Sequence, residues 1–372
     1  MKVLVLSTRY FGLGGAEAYT RLLVRAAAES GAQVDILSLL GGSAEDGRGC
    51  GRYLGDLGDR STRWTHGRFL ARALRLGGGY QLVICAHVAV APVGLLLSRA
   101  FRVPYLVVGY GIDVWGPLGA LRRTALRRAA QVIVISRFTG GMVTAVHGVP
   151  PARIRIIHPA VDPALLALAS SAGGAAPPRN GGPLTLLTVA RLSAQERYKG
   201  LDTVIGALPE VARAAGPVRY VIVGGGDDEP RLRALARERG VADAVTFVGH
   251  TDAAGLAARY RESDIFVMPS LCEQRPDGWA GEGFGIVYIE AAAFARPVVA
   301  GQGGGAPEAV QDGVTGLVVD GRSAEAVAGA LVRLSQDRTL RARMGEAGRR
   351  WVQAQFTYDR FRRDVERAIE VA

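Results

Sequence analysis

Lysine and cysteine are both scarce in this chain. Only Lys2 and Lys199 are lysines among 45 basic residues. The three cysteines, Cys50, Cys85 and Cys272, are odd in number, scattered and without the spacing of metal ligands. This pattern argues against a disulfide framework and a structural zinc site, and it favours a reduced, cytoplasmic environment.

Long apolar runs are also missing. The first apolar run, residues 3–6, is cut off by Ser7, Thr8 and Arg9. It is too short for the core of a signal peptide, and no run approaches the ~20 residues of a membrane span. The 372 residues, 49% of them apolar, suffice for two domains with sizeable cores. We therefore expect a cytoplasmic protein, peripheral at most at the inner face of a membrane.

The net charge of +11 is distributed unevenly. Residues 1–170 hold 20 basic against 9 acidic residues, whereas residues 171–372 hold 25 of each. The excess clusters at residues 60–75 and 122–128, and both segments are typical of helices with one basic and one apolar face. Such faces suit an anionic membrane surface, the alternative being a solvated helix face. No nucleic-acid-binding motif accompanies the charge, so we expect no nucleic-acid partner.

Strand-like and helix-like runs alternate along the whole chain, which predicts α/β architecture with parallel sheets. The glycine- and proline-rich residues 173–183 interrupt the pattern, and it then restarts. We predict an N-terminal domain over residues 1–170, a linker over 171–183, a C-terminal domain over 184–356 and a final helix over 357–372. In such sheets, ligands bind at the carboxyl ends of the strands. The predicted strands cover residues 3–7, 34–38, 82–85, 105–108, 132–135, 154–157, 184–189, 220–223, 245–248, 265–268, 298–300 and 317–319.

Two glutamates eight residues apart form the most informative feature. Glu282 lies in a glycine-rich loop, and Glu290 lies inside an apolar helix that Arg296 and Pro297 terminate. Carboxylates are rarely found in apolar surroundings without a partner. The backbone amides of a loop that leads into a helix point outward and can bind a phosphate. A carboxylate one turn further along the helix can bind sugar hydroxyls.

Two cations lie beyond the first strand of the second half. Arg191 and Lys199 follow the strand over residues 184–189. A lysine retained in an arginine-dominated chain indicates that a compact point charge is needed, the alternative being ordinary surface charge. Gly224–Gly225–Gly226 lacks the spacing of a dinucleotide fingerprint and is followed by acidic residues, so we interpret it as a tight turn.

The segment EGFGIVYIE, followed by PVVAG and GGAPEAVQDGVTGLVV, resembles the retaining nucleotide-sugar glycosyltransferases of family 4. The resemblance extends over nearly the whole chain, beginning at KVLVLSTRYFGLGGAEAY. It implies the GT-B fold: two doubly wound, Rossmann-like domains facing across a cleft, with the last helix returning to the N-terminal domain.

The resemblance also implies roles for individual residues. Arg191 and Lys199 match the residues that bind the donor diphosphate, Glu282 matches the carboxylate that meets the transferred sugar, and Glu290 the one that takes the ribose hydroxyls. Gly283, Phe284, Gly285 and Ile286 match the loop whose backbone amides meet the sugar and the diphosphate. Gly249 and His250 match the base-contacting loop, and Gly14 and Gly15 match the loop that lies over the donor phosphate.

One motif departs from the family. Tyr110 stands where many relatives have the histidine of His-Gly-x-Glu/Asp, which puts the role of a histidine there in doubt. Asp113 is a candidate for contact with acceptor or sugar hydroxyls. His87, at a strand end, is either a substitute for the missing histidine or a core histidine. Arg137, also at a strand end, is a candidate for an anionic acceptor.

The sequence therefore predicts a metal-independent, retaining hexosyltransferase without a cofactor. The donor would be GDP-mannose or a UDP-hexose, and Arg275 in the loop before Glu282 resembles the phosphatidylinositol-mannoside mannosyltransferase branch, which favours GDP-mannose. The acceptor would be a lipid-linked or cell-envelope glycan. The alternatives are a GT-B nucleotide-sugar epimerase and a non-enzymatic, basic nucleotide- or membrane-binding protein; a glycan phosphorylase would need a pyridoxal-type lysine. The oligomeric state stays open.

Overall fold

The computed structural model describes residues 1–12, 14–41, 51–58, 60–171, 182–276 and 278–371. It divides into two compact units, Met1–Pro159 with Tyr358–Ala372, and Ala160–Thr357. Cys50 and most of the predicted linker lie outside the described residues. Each unit contains a parallel sheet with helices, which confirms the predicted fold class.

The first unit is built on a seven-stranded parallel sheet with the order β3-β2-β1-β4-β5-β6-β7. Its central strands are buried on both faces because helices cover both sides, which explains their continuous apolar runs. The edge strand β3 has only two residues and carries no strand pattern, so it was not predicted. The strands are β1 Lys2–Arg9, β2 Gln33–Leu40, β3 Arg52–Tyr53, β4 Leu82–Cys85, β5 Tyr105–Gly109, β6 Gln131–Val134 and β7 Ile154–Ile156.

Among the described residues of this unit, six helices follow strands, and both predicted basic segments form helices, α2 and α5. The helix α2 begins with a capping box in which Thr62 and Thr65 satisfy each other's backbone amides. The helices are α1 Gly15–Glu29, α2 Arg63–Gly77, α3 Ala91–Phe101, α4 Ile112–Trp115, α5 Ala120–Arg128 and α6 Arg137–His147.

The second unit is built on a six-stranded parallel sheet with the order β10-β9-β8-β11-β14-β15. A separate antiparallel pair, β12 with β13, occupies the segment that the sequence presented as a long loop. Its polar and glycine residues lack the alternation by which strands are predicted. The strands are β8 Leu184–Val189, β9 Val218–Val223, β10 Val245–Gly249, β11 Ile265–Met268, β12 Cys272–Arg275, β13 Gly278–Gly281, β14 Val298–Gly301 and β15 Gly316–Val319.

The helices of the second unit begin before its first strand. The first of them, α7, packs against α10 and α11. Residues 160–170 therefore group with the second unit, whereas the predicted boundary placed them in the first. The helices are α7 Pro163–Ser170, α8 Leu201–Ala215, α9 Glu229–Glu238, α10 Ala253–Glu262, α11 Ile286–Ala293, α12 Ala306–Ala309, α13 Ala324–Gln336 and α14 Arg338–Gln355.

The last helix, α15 Tyr358–Glu370, packs on α1 of the first unit. The Tyr358 hydroxyl donates to Glu29 Oε2 at 2.8 Å, and the rings of Tyr19 and Phe361 meet edge to face. Its apolar stripe is buried against this unit, while its charged residues face outward.

No helix within the described part of the chain is long and apolar enough to cross a membrane.

Candidate functional site

In the second unit, Arg191, Glu196 and Lys199 form one charged cluster beyond the end of β8. Arg191 follows the strand, and the other two lie in a short 3-10 turn, Ala194–Lys199. The Lys199 ammonium donates to Glu196 Oε2 at 2.7 Å, and the Arg191 guanidinium donates to the other oxygen of the same carboxylate. The two predicted diphosphate-binding cations are therefore neighbours, joined by one carboxylate.

Glu196 carries a charge in this cluster. Burial raises the pKa of its carboxyl, but the attraction of Lys199 and the Arg191 hydrogen bond outweigh burial, and the net pKa lies below its ordinary value. Glu196 was not predicted from the sequence. The signal was available, because a glutamate three residues before a lysine on a helical turn lies on the same face.

The glycine triplet after β9 brings two strand-end loops together. A Cβ on Gly224 would lie 2.0 Å from the carbonyl oxygen of Ala190, and one on Gly226 would lie 2.1 Å from that of Leu192. Gly224 also donates its N–H to the carbonyl of Gly249 at 2.7 Å. The triplet therefore seats the loop that carries Arg191 beside the predicted base-contacting loop of Gly249 and His250, which is a more specific role than a tight turn.

Glu282 follows β13, which packs against the turn of Lys199. Its carbonyl accepts an N–H from Gly305 at 2.9 Å, and Gly305 lies so close to Gly283 that a Cβ would overlap the Gly283 carbonyl oxygen. Burial raises the pKa of the Glu282 carboxyl; Lys199 opposes the shift and Glu196 adds to it. The structure thus brings Glu282 within electrostatic reach of the cationic cluster.

The helix α11 begins directly after this loop. Gly285 precedes it in the left-handed region, with φ of 85°, and a Cβ there would lie 2.3 Å from the Tyr288 ring. The Phe284 ring is buried against Phe356. Because that ring belongs to the core, Phe284 can offer a ligand only its backbone. The first-turn amide of Ile286 has no partner inside the helix, which is the general property of helix starts that favours anions.

Glu290 lies further along α11, half-buried beside Tyr260. The Tyr260 hydroxyl donates to Glu290 Oε2 at 2.8 Å. Burial raises the pKa of the Glu290 carboxyl from 4.5 to about 7, with the Tyr260 bond opposing the shift and Asp162 adding to it. Tyr260 was not predicted, since it comes from α10, 30 residues earlier in the chain.

In the first unit, His87 and Asp113 lie beyond the ends of β4 and β5. His87 Nδ1 accepts the N–H of Ala89 at 3.0 Å, and its Nε2 is 3.8 Å from Asp113 Oδ2. The other Asp113 oxygen accepts the N–H groups of Tyr110 and Gly111. Within the described residues Oδ2 is buried without a hydrogen-bond partner. Burial raises the pKa of Asp113, and His87 opposes the shift.

Tyr110, the residue that replaces the family's histidine, is engaged by the protein itself. Its hydroxyl donates to the carbonyl of Ala86 at 3.0 Å and lies 2.8 Å from the Thr20 hydroxyl. Burial raises its pKa above the ordinary value. The phenol therefore ties α1 to the end of β4.

The remaining predicted residues of the first unit begin helices. Arg137 is exposed at the start of α6, where Ser136 caps the helix by accepting the N–H of Thr139. Gly14 and Gly15 open α1, and a Cβ on Gly14 would overlap the Glu17 carboxylate. Within the described residues, no group of three His, Cys, Asp or Glu side chains is placed to hold a metal ion.

Two family models match the chain. The model for glycosyl transferases group 1 matches residues 175–351, and the model for glycosyltransferase family 4 matches residues 13–165.

Two mycobacterial proteins illustrate the sequence similarity. Both are called GDP-mannose-dependent alpha-(1-6)-phosphatidylinositol monomannoside mannosyltransferase. The protein from Mycobacterium tuberculosis is 39% identical over 73% of this chain and 71% of its own length. The protein from Mycolicibacterium smegmatis is 38% identical over 76% of this chain and 74% of its own length.

Solved structures share the architecture. The Anabaena protein HepE in complex with UDP superposes with a TM-score of 0.80 at 18% identity, covering 100% of both chains. Sucrose-phosphate synthase from Thermosynechococcus elongatus superposes with a TM-score of 0.77 at 25% identity, covering 100% of this chain and 98% of that one. The two family models and the mycobacterial relatives confirm the resemblance read from the motifs around Glu282 and Glu290: the chain belongs to the family 4 glycosyltransferases and has the GT-B fold.

Proposed function

We propose that this glycosyltransferase moves a mannosyl group from GDP-mannose to a hydroxyl of a lipid-linked acceptor, with retention at the anomeric carbon and without a metal ion. The observation that carries the proposal is the cluster of Arg191, Lys199 and Glu282 around Glu196 in the second unit. It combines a cationic pair for a diphosphate with a carboxylate for a sugar.

The cationic pair would stabilise the leaving group. As the bond between the anomeric carbon and the phosphate oxygen breaks, negative charge develops on the diphosphate. Fixed cations near developing charge account for much of the rate enhancement in reactions of this kind. Lys199 is well placed for this role because its side chain is only 13% exposed and Glu196 fixes the position of its ammonium.

Retention would follow from attack on the face that the diphosphate leaves. A hydroxyl oxygen of the acceptor forms the new bond to the anomeric carbon, and its proton passes to an oxygen of the departing phosphate. Glu282 would bind a hydroxyl of the transferred sugar. In this scheme no second carboxylate is needed as a nucleophile, unlike in retaining glycosidases.

The choice of GDP-mannose rests on the relatives. Both mycobacterial relatives are called GDP-mannose-dependent. Arg275, the residue that favoured this donor in the sequence, is paired with Glu273 in the β12–β13 hairpin, with Nε to Oε1 at 2.7 Å. A UDP-hexose is the second candidate, because HepE was solved with UDP.

The choice of a lipid-linked acceptor rests on the surface of the first unit and on the relatives' names. The arginines of α2 and α5 are exposed along those helices, consistent with binding to an anionic headgroup layer. They are Arg63, Arg68, Arg72, Arg75, Arg122, Arg123, Arg127 and Arg128. The acceptor named for the relatives is itself a glycosylated phospholipid.

A panel of GDP- and UDP-sugars, offered with membrane lipid extract and with EDTA, tests the proposal. We expect transfer from GDP-mannose that survives EDTA, and an α-configured product by NMR. Release of a free epimerised sugar without acceptor would identify an epimerase instead. Binding of nucleotide without turnover of any donor would identify a non-enzymatic protein.

Lys199→Ala tests the role of the cluster. Removing one contact to developing charge should lower kcat at saturating donor by roughly a hundredfold or more. Lys2→Ala is the matched control, because Lys2 is the other lysine of the chain and lies at the exposed start of β1. Wild-type turnover in the Lys199 variant would refute the assignment.

A further inference from the structure

A large apolar cavity opens in the first unit. Its volume is about 510 Å³, within the range of small-molecule sites. It lies between α2, the start of α3 and the start of α5, and it reaches the end of β2 at Leu39. Its walls include Phe69, Leu70, Val93 and Leu96.

The chemistry of the cavity changes from inside to outside. Among the described residues, the lining side chains that can be charged are His66 and Arg122, and none is acidic. Leu121 lines the cavity and is also 59% exposed, so it marks the mouth. A polar ligand inside would lose hydrogen bonds to water without replacement, whereas an aliphatic chain would gain by leaving water.

Positive charge lies on the first turn of α5, at the mouth. Arg122 lines it, and Arg123 follows on the exposed surface of α5. The start of α5 lies at the rim, and no side chain in the described part of the chain caps it. Cations and a helix start both favour an anionic group. An apolar interior with a cationic mouth is complementary to an amphiphile with one aliphatic tail and an anionic head.

The cavity adjoins a residue at the strand ends. Ala89 contributes to its wall, and the N–H of Ala89 donates to His87 Nδ1 at 3.0 Å. The wall of the cavity is therefore continuous with the turn that carries His87.

We infer that this cavity binds one acyl chain of an anionic lipid and so positions a lipid-linked acceptor. The inference rests on the proposed lipid-linked acceptor. It adds a binding site for the acyl chain, which would not be needed if the protein recognised only the headgroup. Chain length, and not only headgroup charge, then determines affinity.

Calorimetric titration of the full chain tests this without any transfer reaction. The probes are lysophosphatidylglycerol with one 16-carbon chain, used below its critical micelle concentration, and glycerophosphoglycerol, which has the same head and no chain. We expect the chain-bearing probe to bind at least about tenfold more tightly, since even a few buried methylenes give that factor. Equal affinities would overturn the inference.

Two variants locate the binding. Leu121→Glu places a negative charge at the exposed mouth, where it repels the anionic head of the lipid. Val93→Trp fills the cavity. Each should weaken binding of the 16-carbon probe about tenfold or more. Val314→Glu is the matched control, since Val314 is 52% exposed and lies in the second unit. Because Leu121 is exposed, its variant is informative even if Val93→Trp does not fold.

The outcomes separate the two proposals. Suppose that binding depends on the acyl chain and is abolished by Leu121→Glu, but that no sugar is transferred to lipids. The inference that the cavity binds an acyl chain would then stand, and the proposal of a lipid-linked acceptor would be refuted. If sugar is transferred to lipids but Leu121→Glu and Val93→Trp bind the 16-carbon probe as tightly as the wild type, the inference that the cavity binds an acyl chain is refuted. If the lipid-free wild type self-associates and Leu121→Glu abolishes this, the cavity is an interface with a second copy of the chain. That result would also refute the inference of an acyl-chain site.

Discussion

At the scale of single residues, three carboxylates of the candidate site in the second unit lie in three electrical surroundings. Glu196 lies between two cations, and its pKa is lowered. Glu282 is buried near one cation and near Glu196, and its pKa is raised. Glu290 has a tyrosine hydroxyl as its partner, and burial raises its pKa to about 7. The same side chain is therefore fully charged at one position and about half protonated near neutrality at another.

Glu290→Gln tests the cost of that burial. In the folded protein the pKa of Glu290 is about 7, against an ordinary 4.5. Between these two pH values the unfolded chain has already lost the proton while the folded protein still holds it. The free energy of unfolding of the wild type therefore falls as the pH rises from about 4.5 to about 7. The variant has no such loss. We expect the free energy of unfolding at pH 8 to be higher in the variant by roughly 1–3 kcal/mol, with the gap closing towards pH 5.

Urea denaturation at several pH values measures the difference. The same variant should raise the KM for the donor, because an amide replaces the carboxylate proposed to hold the ribose hydroxyls. A variant that is less stable than the wild type at pH 8 would contradict the burial argument. Unchanged donor KM would contradict the binding role alone.

Candidate site residues could be recognised in the sequence where they are unusual within their own segment, whereas their distant partners could not. Glu282 and Glu290 stood out because a carboxylate within an apolar stretch is unusual. Tyr260, the partner of Glu290, was invisible because a tyrosine in a helix is an ordinary core residue. The engagement of Tyr110 by Thr20 and Ala86 likewise depends on packing between distant segments.

At the scale of elements, glycines at the carboxyl ends of strands decide how closely the site loops approach. Gly224 lies directly after β9 with φ of 117° and touches the backbone of Ala190, next to Arg191. A side chain there meets both an unfavourable backbone conformation and a carbonyl oxygen that cannot move freely.

Gly224→Ala should therefore displace the loop of Arg191. We expect destabilisation of about 2–4 kcal/mol together with a weaker affinity for GDP, measured by thermal unfolding and by calorimetry. Gly216→Ala is the matched control, because Gly216 also has positive φ, 84°, but no atom of the described residues would meet its Cβ. That control should lose about 1–3 kcal/mol from backbone strain alone and should retain GDP binding. Equal effects of the two variants would show that only backbone strain matters.

Most elements were predictable because parallel strands buried on both faces form continuous apolar runs. The strands and helices around Arg191 and Glu290 appear where the pattern placed them. The exceptions, β3 and the β12–β13 pair, are short and polar, so they carry no periodic signal. The apolar cavity was equally unpredictable, since it is bounded by three helices that are separated in the chain.

At the scale of the whole molecule, the excess positive charge belongs to the first unit, which contains α2 and α5. We expect the protein to bind vesicles that contain anionic phospholipid at low salt, and to be released as salt approaches about 0.5 M, because screening shortens the reach of surface charge. Cosedimentation measures this.

Replacing Arg63, Arg68 and Arg75 of α2 by glutamine should weaken vesicle binding by about tenfold or more, at roughly 1 kcal/mol for each basic residue near the surface. The matched control replaces three exposed arginines of the second unit, Arg213, Arg237 and Arg239. A similar loss in both variants would show that net charge, and not the basic face of α2, drives binding. No binding of the wild type at low salt would remove the membrane proposal.

The packing of α15 on α1 has a consequence for the order of folding. The second unit is one continuous segment, Ala160–Thr357, whereas the first needs both ends of the chain. On a ribosome, the first unit therefore waits with the α15-facing side of α1 uncovered while the whole second unit is synthesised. Contacts between Tyr19 and Phe361, or between Glu29 and Tyr358, close a loop of more than 300 residues, and such distant closure is intrinsically slow. The second unit is then the first to be complete, and the unit encoded first is the last to be finished.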